Sequence, residues 1–255
     1  MDFKSNDIAI VIGGTSGLGK ETAKSMRAIG LNVLIAGRCE EKGRIAAEET
    51  GAIFHKIDVG DYNNVYECFN NTVTEDINLR VMVNCAGFTP AQRLLSKNRV
   101  HQPELFIKSI KINLLGALFC SSVAASFISK SKPMDADQQR GVIINTSSAA
   151  SYDGQLGQVA YAASKGGINS MTLPMARDLS EYGIRVCTIA PGLFDTPLVS
   201  DLDANVKNSL HAQTAFPKRH GLPKEFARMV IHILENTMLN GEIIRLDGGL
   251  RMSIS

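Results

Sequence analysis

The passage that most constrains this chain is Ile8-Ala9-Ile10-Val11-Ile12, followed by Gly13-Gly14-Thr15-Ser16-Gly17-Leu18-Gly19 and then the amphipathic stretch Lys20–Ile29. The short apolar run reads as a buried strand. The glycines let the backbone turn sharply, and the spacing after Lys20 reads as a helix closed by Gly30. Such a unit buries its strand in a parallel sheet with helices laid on its faces. The alternation continues along the chain. Strands are expected at Asn32–Ala36, Ile53–Ile57, Val81–Val83, Gly141–Asn145, Ile184–Ala190 and Glu242–Leu246. Helices are expected at Asn63–Thr72, Pro103–Phe127, Ala160–Ser180 and Pro223–Asn236.

The expected fold is therefore α/β: a single Rossmann-like, doubly wound parallel sheet flanked by helices on both faces. No Pro/Ser-rich linker divides the 255 residues, so residues 1–255 read as one domain. Two stretches resist assignment. Phe88–Gln102 is one. The other, at about 195–220, reads as a substrate lid, because long loops in a compact domain often cover a site.

Charge excludes some partners. With 27 basic and 25 acidic residues the net charge is +2, which gives no electrostatic case for nucleic acid or an acidic membrane surface. Cys39, Cys68, Cys85, Cys120 and Cys187 are scattered without a close pair, and the five histidines lack ligand spacing. No metal site is expected, and a reducing intracellular compartment is. The amino terminus does not read as a transit peptide, which favours the cytoplasm. Ile112–Ile128 is apolar but carries Asn113 and several serines, and reads as a helix buried between neighbours rather than a membrane span.

The glycine turn between the first strand and helix suits a pyrophosphate. Backbone at Gly13, Thr15, Ser16, Gly17, Leu18 and Gly19 can approach closely, and the helix start offers free N–H groups. At the end of the next strand a carboxylate would bind the ribose hydroxyl of NAD. This chain has Ala36-Gly37-Arg38, and a guanidinium pairs with a phosphate, so NADP is favoured over NAD. Asp58 and Val59 are placed to meet the adenine edge. Cys85, Ala86 and Gly87 follow the fourth strand and line the cofactor with backbone.

Tyr161 and Lys165 stand one helical turn apart and share a face. An ammonium beside a phenol and a positive nicotinamide ring both favour the phenolate and are expected to lower the Tyr161 pKa. Ser148, thirteen residues earlier, can orient a substrate oxygen at Tyr161. Asn113, polar in an apolar helix, can hold a water on a proton path through Lys165. Pro191, Gly192, Leu193 and Phe194 should shape a nicotinamide pocket, and Thr196 can bind its carboxamide or a phosphate. Gln155 and Gln158 lie between Ser148 and Tyr161 and should reach substrate. Leu198 and Phe216 in the lid suit an apolar one, and Lys218 and Arg219 are candidates for CoA phosphates.

The glycine turn, Asp58-Val59, Asn84–Gly87, Asn113, Ser148, Tyr161/Lys165 and Pro191-Gly192, in that order, make the chain resemble the short-chain dehydrogenase/reductase family along nearly its full length. The resemblance implies a catalytic tetrad of Asn113, Ser148, Tyr161 and Lys165, with the lysine also on the nicotinamide ribose. It implies an NAD(P)-dependent oxidoreductase interconverting a secondary alcohol and a ketone. Gly141–Thr146, Ser164–Ile168, Met171–Asp178, Ile189–Phe194, Asn240–Gly248 and Arg251-Met252 are most similar to the group acting on 3-hydroxyacyl-CoA and hydroxysteroids (the type 10 17β-hydroxysteroid dehydrogenases). That likeness implies an acyl-CoA or steroid substrate, a homotetramer and a mitochondrial address. The chain departs from that group at Ala36-Gly37-Arg38, where the group carries an Asp and uses NAD. Two alternatives stand beside this reading: an NADPH-dependent carbonyl reductase on other apolar ketones, and a non-catalytic scaffold subunit.

Overall fold

The opening apolar run forms β1 (Asp7–Ile12), which lies inside the sheet rather than at its rim. The computed structural model describes residues 3–196 and 213–253. From β1 the chain builds outward through α1 (Gly17–Ala28), β2 (Asn32–Gly37), α2 (Glu40–Thr50) and β3 (Ile53–Lys56). It then crosses through α3 (Tyr62–Asn70) to β4 (Asn78–Asn84) on the opposite flank of β1. A two-by-two-residue hairpin, β5 (Leu95–Ser96) and β6 (Arg99–Val100), precedes α4 (Pro103–Ser109) and α5 (Gly116–Ile128). The second half adds β7 (Gly141–Thr146), α6 (Val159–Asp178), β8 (Ile184–Pro191), α7 (Pro223–Glu235) and β9 (Ile243–Leu246).

Among the described residues the main sheet is seven-stranded and parallel, in the order β3-β2-β1-β4-β7-β8-β9. The direction of building reverses between β1 and β4, and the diverging crossovers leave a crevice at the strands' carboxyl ends. Register sets Ile12 level with Ala36 on one side and Asn84 on the other, so the turns that follow share one edge.

Alternate residues of each strand feed two cores, as the two-residue period of a pleated strand requires. Ile8, Ile10 and Ile12 of β1 join Met82 and Ile143 under α3 and α5. Ala9 and Val11 join Val83 and Ile144 with Met26 of α1 and Phe226 of α7 on the other face.

Three features were not legible beforehand. Helix α2 reads as EEKGRIAAEET, with too few apolar residues for a clear stripe. The helical stretch 103–128 is interrupted by a π-helical segment at Ile110–Leu115 that carries Asn113. The stretch 88–102 holds the hairpin, whose turn residues Lys97 and Asn98 have φ of 45° and 62°, the left-handed geometry of a tight hairpin turn. The whole 26-residue segment Pro103–Ile128 is long and apolar enough to cross a membrane by length and composition. Here α5 packs on β4 and β7, and Ala117, Cys120, Ala124 and Ile128 are buried.

Candidate active site

The glycine turn lies against the end of β4 with no side chain between them. A Cβ on Gly13 (φ 75°) would come 2.6 Å from the Ala86 nitrogen, and one on Gly19 would come 2.3 Å from the Gly13 oxygen. Helix α1 begins at Gly17 with no side chain capping its first N–H groups. Those groups and the positive end of the helix dipole are open to an anion.

Two cavities meet at this turn. One, of about 240 Å³, lies over β2 and β3 and is lined by Thr15, Arg38, Asp58, Val59, Ala86 and Ile112 among others. The second, of about 340 Å³, lies over β7 and β8 and holds Ser148, Gln158, Tyr161 and Lys165. Its lining also includes Leu18, Gly19, Pro191–Phe194 and Thr196. Gly13, Ser16, Cys85 and Gly87 belong to both, so the two form one elongated cleft across the turn. A dinucleotide fits this shape: two arms with a backbone cradle for the pyrophosphate between them.

Arg38 is exposed at the end of β2, and no hydrogen bond or ion pair engages its guanidinium among the described residues. The carboxylate of Asp58 accepts from the Gly60 N–H at 2.9 Å. Cys85 faces Thr146, whose hydroxyl lies 3.8 Å from its sulfur. Burial pushes the Cys85 thiol up to about 11, against the Thr146 hydrogen bond and the Lys165 charge, so it stays a neutral wall of the cleft.

The hydroxyls of Ser148 and Thr89 line the cavity beside the Tyr161 phenol, and both act to lower its pKa. Ser148 Oγ accepts from the Ala150 N–H at 3.1 Å, which leaves its own proton free to point into the cavity. Lys165 Nζ donates to the Thr146 carbonyl at 2.7 Å and lies 5.9 Å from the Tyr161 ring centre. Burial draws the Lys165 ammonium down to about 8, with Cys85 pulling the other way.

Of the two charges expected to lower Tyr161, the protein itself supplies the ammonium alone. Within the protein, Tyr161 is held above its ordinary value of 10: burial raises it, and the Ser148 and Thr89 hydroxyls only pull it part of the way back. Burial works on both partners at once, making the phenolate costly and weakening the ammonium that was expected to favour it.

Asn113 has a structural task besides the one expected. Its Oδ1 accepts from the Phe88 N–H at 2.7 Å, and its Nδ2 donates to the Phe88 carbonyl at 2.8 Å and to Ser164 Oγ at 2.9 Å. Both amide hydrogens are committed, so the side chain clamps a loop, and Oδ1 keeps one lone pair that a water could use. The π-helical segment and α6 approach closely enough for this because residue 167 is glycine: a Cβ there would meet the Leu114 side chain at 2.8 Å.

Gln155 is not part of the cleft lining. Its backbone N–H donates to Gln158 Oε1 at 2.9 Å, so it orients its neighbour. Phe216 is 82% exposed and lines neither arm of the cleft. Arg219 makes a two-pronged pair with Glu225 at 2.8 and 2.7 Å and is engaged within the fold. Leu198 lies outside the described residues. The lining residues that went unforeseen include Thr89, in the stretch that resisted assignment, Thr146 and Ala150 around Ser148, and Met252, near the carboxyl terminus. A polar residue two places after Gly87 was the available signal for Thr89.

The model of the short chain dehydrogenase family matches residues 7–207. The chain is 43% identical to the 3-hydroxyacyl-CoA dehydrogenase type-2 of Drosophila melanogaster, over 97% of this chain and 98% of that protein. It is 43% identical to the protein of the same name from Homo sapiens, over 96% of this chain and 95% of that one. A crystal structure of 3-hydroxyacyl-CoA dehydrogenase type-2 from Mycobacterium avium superposes with a TM-score of 0.92 at 37% identity, covering 98% of each chain.

A buried, singly bonded ammonium should carry a measurable stability cost. The change from 10.5 to about 8 corresponds to roughly 3 kcal/mol, complete below pH 8 and relieved as pH rises toward 10.5. Replacing Lys165 with Met is therefore expected to stabilise the ligand-free chain at pH 7 by about 1–3 kcal/mol in urea unfolding and to flatten that alkaline rise. A variant less stable than the parent would contradict this.

Proposed function

The chain belongs to the short-chain dehydrogenase family, and from that premise we propose that it acts on 3-hydroxyacyl-CoA or hydroxysteroid substrates with NADP preferred over NAD. Its reaction class is the NAD(P)-dependent interconversion of a secondary alcohol and a ketone. The observation that carries the mechanism is the convergence of Ser148, Tyr161 and Lys165 in one cavity that opens onto the start of α1.

The backbone from Gly13 to Gly19 would hold the pyrophosphate, with Arg38, Asp58 and Val59 on the adenosine side. Lys165, Pro191–Phe194 and Thr196 would hold the nicotinamide riboside. The nicotinamide supplies the two-electron acceptor or donor when bound. Tyr161 takes the proton from the alcohol oxygen or returns it to the ketone oxygen at its phenol. Ser148 directs its free hydroxyl proton at that oxygen and stabilises charge developing there. Asn113 keeps the wall of the cleft in place through Phe88. Because Tyr161 favours its protonated form, the protein's own electrostatics suit proton donation, and oxidation gains as pH rises.

Support for the substrate class comes from the names of the relatives and from the apolar wall made by Leu193, Phe194 and Met252. Support for NADP comes from Arg38, which lines the adenosine arm and has no ion-pair partner among the described residues. That same observation favours the second reading, an NADPH-dependent reductase of other apolar ketones. A homo-oligomer is supported by Leu115, Leu118 and Leu173, apolar residues of the helical layer that stay exposed.

Three outcomes are expected. Tyr161→Phe abolishes turnover of acetoacetyl-CoA while leaving dinucleotide affinity, by fluorescence titration, within about threefold; surviving turnover would remove the assigned proton carrier. Arg38→Asp lowers the NADPH-to-NADH ratio of kcat/KM by about 10–100-fold, the worth of charge-assisted bonds to a phosphate, and an unchanged ratio sinks the NADP preference. Light scattering of the purified chain gives a mass above the 27.6 kDa protomer; a monomer at micromolar concentration counts against the oligomer.

A further inference from the structure

Ser148 has to aim its free proton at one point, and the sheet stops supporting the chain just before it. The Ser147 N–H donates to the Ile189 carbonyl at 2.8 Å. Ala149–Ser151 then make a single 3-10 turn, and Ser151 Oγ donates back to the Ser148 carbonyl at 2.6 Å. The Asp153 N–H donates to the Ala149 carbonyl at 3.0 Å. Residues 148–153 therefore move as one small unit, and whatever fixes the unit fixes Ser148. Side-chain bonds reach it from two neighbouring elements. Asn169 Nδ2 of α6 donates to Ser151 Oγ at 2.8 Å. At the far end Arg245 Nη2 of β9 donates to Asp153 Oδ2 at 2.6 Å. We propose that Arg245, through Asp153, is a positioning residue for Ser148. This rests on the reading of Ser148 as the residue that orients the substrate oxygen.

Arg245 is itself held from several sides. Its Nε donates to Asp247 Oδ2 at 2.8 Å, and its Nη2 also donates to the Leu250 carbonyl at 3.0 Å. Its Cζ lies over the Tyr152 ring, 4.8 Å from the centre. A planar fork fixed in this way transmits a position, as a flexible ammonium would not. The Arg245 and Asp153 side chains are 20% and 24% exposed, so the pair is sheltered where an ordinary surface pair is loose and screened.

The same guanidinium refers Ser148 to the opposite wall of the cleft. The β8–β9 register sets Arg245 beside Ala190, just before Pro191 and Gly192. Asp247 backs that turn so closely that a Cβ on Gly192 would lie 2.8 Å from the Asp247 Cβ. The Gly192 N–H donates to the Leu246 carbonyl at 3.0 Å. Asp153 and Asp247 thus meet on one arginine, and the span from the Ser148 hydroxyl to the Gly192 wall is set there. Neither aspartate lines the large cavity, so their part in it is indirect.

The test is a double-mutant cycle. Asp153→Ala frees the unit while leaving Arg245 its bonds to Asp247 and Leu250. Asp153→Asn keeps the shape and a neutral acceptor. Each is made in the parent and in Ser148→Ala. Single turnovers are read with whichever of acetoacetyl-CoA, a steroid ketone and an apolar aryl ketone the parent reduces fastest. Rates are expressed per dinucleotide-binding site, so that unfolded chain does not count. Misplacing a reacting group by 1 Å costs up to about 100-fold. Asp153→Ala should therefore lower the rate by about 10–30-fold, and Asp153→Asn by less, with dinucleotide affinity within about twofold of the parent. In Ser148→Ala the change at residue 153 should move the rate by less than about twofold, because no hydroxyl is left to misplace. Equal losses in both backgrounds would place the effect in the fold at large and overturn the proposal. A parental rate in Asp153→Ala would overturn it too. A parental rate in Ser148→Ala is a different failure: it removes the orienting role of Ser148, and the role of Arg245 with it.

Discussion

The cleft depends on one close approach: the backbone of the first turn resting directly on the backbone that leaves β4. With a side chain at residue 13 or 19 the turn would have to lift off Ala86 or off itself, since the added atom would sit 2.6 or 2.3 Å from backbone atoms. Lifting it would separate the two arms that now share Gly13, Ser16, Cys85 and Gly87. The parallel sheet supplies the other half of the constraint. Because its building direction reverses between β1 and β4, no crossover runs over this edge, and the start of α1 faces open space.

Buried charge is treated differently at the two ends of the sheet. At the amino edge Arg80 is bonded to Asp7 at 2.7 Å and also donates to the carbonyls of Lys132 and Arg140, so its guanidinium is well supplied with partners. At the carboxyl edge Lys165, 3% exposed, donates to the Thr146 carbonyl at 2.7 Å and is pulled down to about 8. A buried ion with full hydrogen bonding has its desolvation offset by its partners, whereas one left with spare donors is poised for a ligand. The same asymmetry explains Tyr161, whose burial raises its pKa and leaves room for a bound partner to lower it.

Much of the architecture was legible because it is local. Strands showed as short β-branched runs, α1 and α6 showed by spacing, and most boundaries fell within a few residues of those expected. Helix α2 was missed because it is mostly charged and presents little apolar stripe; Gly43 lies so close to Phe54 that a Cβ there would meet the ring at 2.2 Å. The π-helical turn at Ile110–Leu115 was missed because an extra residue in a helix leaves no mark on hydrophobic periodicity. For the cleft, Ser148, Tyr161, Lys165 and the glycine turn were readable, while the committed amide of Asn113, the absence of Gln155 from the lining and the presence of Thr89 in it were not.

The sequence by itself determined the strand–helix alternation, the turn that only glycines can make and the one-turn spacing of Tyr161 and Lys165, because each depends on residues within a few positions of one another. Tertiary structure alone decided which polar groups reach the phenol and how far its proton is held. Ser148 comes from the end of β7, Thr89 from the loop after β4, and the Asn113 clamp from a helix between them. Those contacts span tens of residues, and the burial that governs Tyr161 and Lys165 arises only when all the elements have packed.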